Sequence, residues 1–272
     1  MEKLIRVVDK TRGIIQVTTA DERWYIRQAQ DKITGLPTHE FVPSVTWITD
    51  HYPKGIGFYK WLANTGWDES QAIKEAAGGR GSKVHQAIGD LLDGKEVLID
   101  AAYTNTALDA MEPLTLEEYA AVLSFAAWHR LEKPEFIERE MVIWNDQENY
   151  AGTIDFLCKI KGELWLIDFK TSQAVYPSHE MQVSAYKQAV PGWANARLGI
   201  LQLGYKRNRI GYRFTEVSEC FDLFLAAKKI WAKETAGQVP LQKDYPVSIV
   251  LDKHRPEPTA ALVSLPKEST PE

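Results

Sequence analysis

Two apolar segments joined by a two-residue turn constrain the fold of this chain more than any other feature. Residues 150–160 and 163–171 each have the length and the apolar content of a β-strand. Lys161-Gly162 lies between them, as expected of a tight hairpin. Neighbouring antiparallel strands lie about 4.8 Å apart, so side chains of both segments can bind one ligand together. The segments therefore predict a pair of adjacent, buried strands.

Three charged residues interrupt this apolar hairpin. Asp155 lies in the first strand, and Asp168 and Lys170 lie in the second. Asp168 and Lys170 are two residues apart, so they point to the same face of the strand. Because an unpaired buried charge is costly, charged residues in buried strands need a partner or a function. The alternative is a Lys–Asp ion pair on an exposed hairpin.

The residue types at these positions suit the hydrolysis of phosphodiester bonds. Two carboxylates can hold Mg²⁺ or Mn²⁺, which are hard cations that prefer oxygen ligands. Such a cation activates water and neutralises charge on the phosphate. A lysine beside it can hold that water or offset negative charge in the transition state. We interpret Asp155, Asp168 and Lys170 as a candidate catalytic site.

The remaining patterns predict the elements around the hairpin. Helices are predicted at residues 82–92, 115–131, 178–190 and 218–237, and further strands at 136–144, 198–205 and 210–217. This order favours an α/β fold with a central mixed β-sheet flanked by helices. Residues 95–113 are predicted to be a loop or short helical pieces. We expect three regions: a helical and irregular N-terminal extension at 1–78, a core at 79–240 and a loosely ordered tail at 241–272.

Five motifs in chain order resemble the RecB-type nucleases of the PD-(D/E)XK superfamily, which include phage exonucleases and the mitochondrial genome-maintenance exonuclease. The motifs are Gly81 to His85, Glu140, Gly152 to Asp155, Asp168 to Lys170, and Gln182 to Tyr186. The resemblance implies a restriction-endonuclease-like core and a metal-dependent deoxyribonuclease. An exonuclease is favoured over an endonuclease, because no separate sequence-reading module is visible. A non-catalytic protein that binds nucleic acid or a recombination partner on the same fold is the alternative.

The resemblance also implies roles for individual residues. Glu140, Asp155, Asp168 and Lys170 would be catalytic. One or two Mg²⁺ or Mn²⁺ ions would be held by His85, Glu140, Asp155, Asp168 and the carbonyl of Phe169. Glu138, two residues before Glu140, competes with it for this role. Gln182 and Tyr186 would contact DNA or support Lys170, and Arg80 and Lys83 would contact DNA. Ordinary helix packing is the alternative for Gln182 and Tyr186, and a solvated face for Arg80 and Lys83.

Other residues have two interpretations. The basic group Lys206, Arg207, Arg209 and Arg213 is typical of a solvated hairpin, but it could also hold phosphates. Most aromatic residues are expected in the core. Four in the N-terminal part are candidates for stacking on unpaired bases: Trp24, Tyr25, Trp47 and Trp61.

Composition limits the cellular setting and the cofactors. The net charge of −5 neither indicates nor excludes a nucleic-acid-binding protein, because a local patch decides binding. With only Cys158 and Cys220, we expect no iron–sulfur cluster, and without a Walker motif we expect no ATP. No signal peptide or apolar membrane segment is visible. We expect a cytoplasmic protein of a bacterial or phage-infected cell. Its expected partners are DNA that is single-stranded or has single-stranded ends, and recombination or replication proteins, with no membrane.

Overall fold

A computed structural model describes residues 4–19, 22–30, 33, 35 and 37–240. The N-terminal elements are β1 (Leu4–Asp9), β2 (Ile14–Thr18), β3 (Arg23–Gln30), β4 (Pro37–Pro43), α1 (Val45–Asp50), α2 (Ile56–Thr65) and α3 (Trp67–Leu92). They are followed by β5 (Ala102–Asn105), β6 (Ala110–Pro113), α4 (Leu116–Glu132), β7 (Glu135–Asn145), β8 (Tyr150–Ile160) and β9 (Glu163–Lys170). The last elements are α5 (Pro177–Gln188), β10 (Arg197–Leu203), β11 (Tyr212–Val217) and α6 (Phe221–Glu234).

A mixed five-stranded sheet forms the centre of the fold. Its strand order is β11-β10-β9-β8-β7; β9 and β10 are parallel, and the other neighbours are antiparallel. Ile88 of α3 and Trp128 of α4 belong to one core against this sheet, while Val183 of α5 and Phe224 of α6 belong to a second. This arrangement confirms the predicted α/β fold with a mixed sheet flanked by helices. The hairpin of β8 and β9 lies within the sheet, as predicted.

The start of α4 follows the predicted capping box. The Glu118 backbone N–H donates to the Thr115 hydroxyl at 3.3 Å, and the Thr115 N–H donates to the Glu118 carboxylate at 2.7 Å. Two otherwise unpaired donors at the helix start are thereby satisfied. α4 continues to Glu132 and packs its Phe125 and Trp128 into the core.

The N-terminal part, predicted to be helical and irregular, contains α1 and α2 and also a sheet that was not predicted. β1 to β4 form a four-stranded antiparallel sheet in chain order. In β3, Trp24, Tyr25 and Ile26 are all buried, so the strand lacks the alternation of apolar and polar residues that marks a half-buried strand. Trp24 and Trp47 pack against Trp231, with ring centroids 6.0 and 5.2 Å away, and are core residues rather than exposed stacking surfaces.

Two further elements extend beyond their predictions. α3 begins at Trp67 rather than at residue 82, and β5 and β6 form a hairpin within the expected loop. Glycine is a poor helix former, which is why the pattern around Gly79 did not indicate a helix. In the structure, a Cβ on Gly79 would collide with Asn105 of β5, so the glycine allows that hairpin to pack closely on α3.

The expected division of the chain into regions stays a prediction. Its boundary at residue 78 lies inside α3, and the expected tail at 241–272 lies outside the described residues. Among the helices that the structure describes, none is long and apolar enough to cross a membrane.

Gly152 of β8 provides a test of how the sheet packs on α5. A Cβ at this position would lie 2.5 Å from Cε1 of the buried Tyr186. We expect Gly152→Ala to lower the free energy of unfolding by about 1–3 kcal/mol, because overpacking forces neighbouring groups to move. Urea denaturation measures this effect.

Gly57→Ala is the matched control for this substitution. Gly57 lies inside α2, and a Cβ there meets nothing within 4 Å. This change should stabilise the protein by about 0.5–1 kcal/mol, because alanine loses less backbone entropy in a helix. Equal unfolding midpoints for Gly152→Ala and the parent would contradict the tight contact with Tyr186.

Candidate metal centre

The pairing of β7, β8 and β9 brings three carboxylates to one level of the sheet. β8 pairs with β9 up to Phe156 and Ile167, and the same register continued by one residue sets Asp155 beside Asp168. β7 pairs Arg139 with Phe156 and Met141 with Ile154, which sets Glu140 beside Asp155. Side chains at directly opposed positions of neighbouring strands can interact, so Asp155 has an acidic neighbour on each side.

Three ligand groups come together at this level. One ligand atom from each of His85, Glu140 and Asp155 lies within 4.8 Å of the others. His85 is supplied by α3, with Nδ1 3.5 Å from Asp155 Oδ1 and Nε2 3.1 Å from the Phe169 carbonyl oxygen. When Nε2–H donates to this carbonyl, Nδ1 is left as the nitrogen that can bind a cation. The Phe169 carbonyl thus contacts His85, and its predicted role as a metal ligand stays a prediction.

Glu140, rather than its competitor Glu138, belongs to this group. The Glu138 carboxylate accepts a hydrogen bond from the Arg139 backbone N–H. Glu140 has a φ of +49°, a left-handed conformation that is unfavourable for a residue with a side chain. Backbone strain of this kind clusters at functional sites.

The electrostatics of the three groups are coupled. Burial lowers the pKa of His85, but the negative charges of Asp155 and Glu140 outweigh it and raise the pKa to about 9. Burial and the charge of Asp155 raise the pKa of Glu140 to about 7. Burial also acts to raise the pKa of Asp155, but His85, Lys170 and the Phe169 N–H lower it overall. The two neighbouring carboxylates therefore repel each other, and a bound cation would relieve that repulsion.

Asp168 has a different environment from Asp155. It is 1% exposed; its Oδ1 accepts from Gln182 Nε2 at 2.9 Å, and its Oδ2 lies 2.5 Å from Lys170 Nζ. Burial raises the pKa of Asp168 to about 6, while the charge of Lys170 opposes this shift. Oδ2 faces the lysine but accepts no hydrogen bond of good geometry among the described residues, and Asp168 is outside the group of three. That Asp168 shares a cation with Asp155 stays a prediction.

Gln182 and Tyr186 hold the lysine and the aspartate in place. Gln182 Oε1 accepts from Lys170 Nζ at 3.2 Å, and Gln182 Nε2 also donates to the Tyr186 hydroxyl at 2.9 Å. Both side chains are buried at the wall of the cavity that contains the metal centre. Of their two predicted roles, support of Lys170 matches these contacts. A contact of either residue with DNA stays a prediction.

The two basic residues predicted to contact DNA lie in different places. Arg80 lines the cavity, with Nη1 3.6 Å from the Glu117 carboxylate. Lys83 is 3% exposed and pairs with Glu118 at 2.8 Å. Because Glu118 belongs to the capping box of α4, Lys83 ties α3 to the start of α4. Its burial does not fit the predicted contact with DNA.

One wall of the cavity has no counterpart in the sequence prediction. Tyr25 of β3 donates to or accepts from the Thr153 hydroxyl at 3.1 Å, and Gln16 Nε2 donates to the Tyr25 hydroxyl at 2.8 Å. This chain of hydrogen bonds joins the N-terminal sheet to β8 two residues before Asp155. The only signal for this wall in the sequence is the aromatic character of Tyr25, which suggests stacking on bases rather than this hydrogen bond.

Metal binding should depend on pH in a direction set by these shifts. Without metal, His85 carries a proton below about pH 9 and Glu140 below about pH 7. A cation must displace these protons, so Mn²⁺ affinity should rise with pH through this range while protons are released. Calorimetry in buffers of different ionisation enthalpy measures both quantities. An affinity that is independent of pH would contradict the proposed ligand set.

Comparisons with known proteins find distant similarities among solved structures. No family model matches the chain, and no curated protein matches it. Among solved structures, the chain is similar to an alkaline exonuclease from Laribacter hongkongensis, with a TM-score of 0.35 and 12% sequence identity. The similarity covers 71% of this chain and 85% of that chain. It is too low to carry an argument, so function has to be inferred from the site itself.

Proposed function

We propose that this chain is a metal-dependent deoxyribonuclease of the PD-(D/E)XK superfamily. The observation that carries the proposal is the ligand group of His85, Glu140 and Asp155 beside a lysine held by Asp168. These residues line one cavity. A cation site with an adjacent, oriented ammonium group suits the hydrolysis of phosphodiester bonds.

The donor set fits a divalent cation such as Mn²⁺ or Mg²⁺. Two carboxylates supply hard oxygen ligands, and one imidazole supplies a nitrogen that is a better ligand for Mn²⁺ than for Mg²⁺. Asp155 Oδ1 faces this group, while Asp155 Oδ2 accepts the Phe169 backbone N–H at 2.7 Å. When bound, the cation supplies Lewis-acid activation of water and neutralises phosphate charge.

Lys170 is the residue of this chain that we assign to the transition state. Its ammonium group is oriented by Asp168 Oδ2 and by Gln182 Oε1, and its side chain is 21% exposed. It is therefore fixed in position but accessible from the cavity. An ammonium group held in this way can stabilise the negative charge that develops on the phosphate oxygens, without reorganisation during the reaction.

The size of the cavity favours a polymeric substrate. Its volume is 1310 Å³, whereas pockets for small ligands usually have about 300–1,000 Å³. Within the described residues, its lining extends from the N-terminal sheet past α3 to the hairpin of β5 and β6. We infer a DNA strand as the substrate and an exonuclease rather than an endonuclease as the activity.

Incubation with labelled DNA tests this function directly. Linear single- and double-stranded DNA should be degraded with Mg²⁺ or Mn²⁺ and stay intact with EDTA. A circular substrate of the same sequence should resist an exonuclease and be cut by an endonuclease. Binding without cleavage under all metal conditions would favour the alternative, a nucleic-acid-binding protein without catalysis.

Lys170→Ala separates catalysis from binding. We expect single-turnover cleavage to fall by about a hundred- to a thousand-fold, because one preorganised charge is lost from the transition state. Metal affinity, measured by calorimetry, should be kept or rise slightly, because a positive charge is removed from among carboxylates.

Lys187→Ala is the matched control for the lysine substitution. Lys187 lies near the C-terminal end of α5. It also pairs with a carboxylate, that of Glu219 at 2.8 Å, but it does not line the cavity. The Lys187→Ala variant should cleave DNA at the parent rate. Cleavage by folded Lys170→Ala at the parent rate would show that this lysine is only a structural partner of Asp168.

A further inference from the structure

The N-terminal sheet forms part of the cavity that contains the metal centre. Arg6 of β1, Gln16 of β2, and Arg23 and Tyr25 of β3 line it. The hydrogen bonds from Gln16 through Tyr25 to Thr153 fix this wall to β8 near Asp155. A ligand held by the wall would therefore have a defined position relative to the metal centre.

Most basic side chains of the cavity already have an acidic partner. Among the described residues, six lysines and arginines line it. Four of them form ion pairs with carboxylates of the protein: Arg80, Lys95, Arg139 and Lys170. Their charges are largely compensated within the protein, which weakens their attraction for a ligand.

Arg6 and Arg23 are different. Within the part of the chain that the structure describes, neither guanidinium lies within 4.0 Å of a carboxylate. Arg23 Nη1 donates to the Thr46 hydroxyl at 3.3 Å, which orients the side chain without neutralising it. Burial lowers the pKa of Arg6; Asp109 opposes this shift, and the positive charge of Arg23 adds to it. The strand register also brings them together: Arg6 pairs with Gln16, Gln16 pairs with Tyr25, and Arg23 lies two residues before Tyr25 on the same face of the sheet. The two arginines therefore share one partly desolvated wall, where Asp109 offsets the charge of Arg6 but forms no ion pair with it.

We propose that Arg6 and Arg23 form a phosphate-binding pair that holds the backbone of a DNA strand in the cavity. The proposal rests on the proposed nuclease function and adds two contacts from the N-terminal sheet. Guanidinium groups bind phosphate oxygens through two parallel N–H donors, and a strand with one phosphate at each guanidinium would compensate both charges. The two arginines are positioning residues: they would hold the DNA strand on a different wall of the cavity from the metal ligands and so fix its position relative to them.

The salt dependence of DNA binding tests the pair. The probe is a labelled single-stranded oligonucleotide, and fluorescence anisotropy is measured in EDTA over a range of salt concentrations, so that cleavage cannot interfere. Each phosphate contact to a single strand contributes about 0.7 to the slope of log affinity against log salt. The double variant Arg6→Gln/Arg23→Gln should bind more weakly and lose about 1.4 of this slope, and each single variant about half as much.

Two controls separate the pair from a general effect of charge or folding. Arg130→Gln removes an exposed arginine from the last turn of α4; this residue forms no ion pair among the described residues and lies outside the cavity. It should keep the parent slope. The variant Arg6→Lys/Arg23→Lys retains both charges and should keep most of the slope while binding more weakly, because lysine lacks the two parallel donors.

The outcomes distinguish this proposal from the nuclease function. The pair is overturned if the parent binds no DNA, if the glutamine variants keep the parent slope, or if Arg130→Gln loses as much slope as a single variant of the pair. Thermal unfolding establishes that each variant is folded, and the single variants carry the test if the double variant is not. A parent protein that binds DNA with the expected slopes but never cleaves it overturns the nuclease function alone.

Discussion

The pairing of β8 with β9 is the constraint on which the site depends. The ladder ends at Phe156 and Ile167, and beyond it the Phe169 N–H donates to the Asp155 carboxylate instead of to a backbone carbonyl. Asp155 thus satisfies a buried donor with one oxygen and faces His85 with the other. One oxygen of this carboxylate therefore accepts the backbone N–H at the end of the ladder, and the other is a candidate metal ligand. A substitution of Asp155 would affect the packing of the sheet and the candidate metal centre together.

Asp155 and Asp168 illustrate how environment divides the roles of two neighbouring carboxylates. The charges around Asp155 lower its pKa, whereas burial raises that of Asp168 to about 6. Asp168 is compensated by Lys170 and Gln182, and it orients the lysine at the same time. Pairs of titratable groups whose environments separate their pKa values are typical of catalytic sites.

The sequence predicted the parts of the fold that depend on local patterns. The hairpin of β8 and β9 and the capping box of Thr115 and Glu118 could be recognised because their signals lie within a few residues. The buried position of Lys83 could not be predicted from a local pattern, because its partner Glu118 lies 35 positions further along the chain. The N-terminal sheet was not predicted for a related reason. Contacts with distant elements bury consecutive residues of β3, so its sequence lacks the alternation that indicates a strand. The predicted roles of the site residues await experiment.

A crystal structure with Mn²⁺, measured at the manganese absorption edge, tests the central claim most directly. The claim is that His85, Glu140 and Asp155 together bind a divalent cation. The account predicts an anomalous difference peak between these three side chains, with Asp155 Oδ2 still accepting the Phe169 N–H. A peak elsewhere in the cavity, or none in crystals of a protein that cleaves DNA with Mn²⁺, would contradict it.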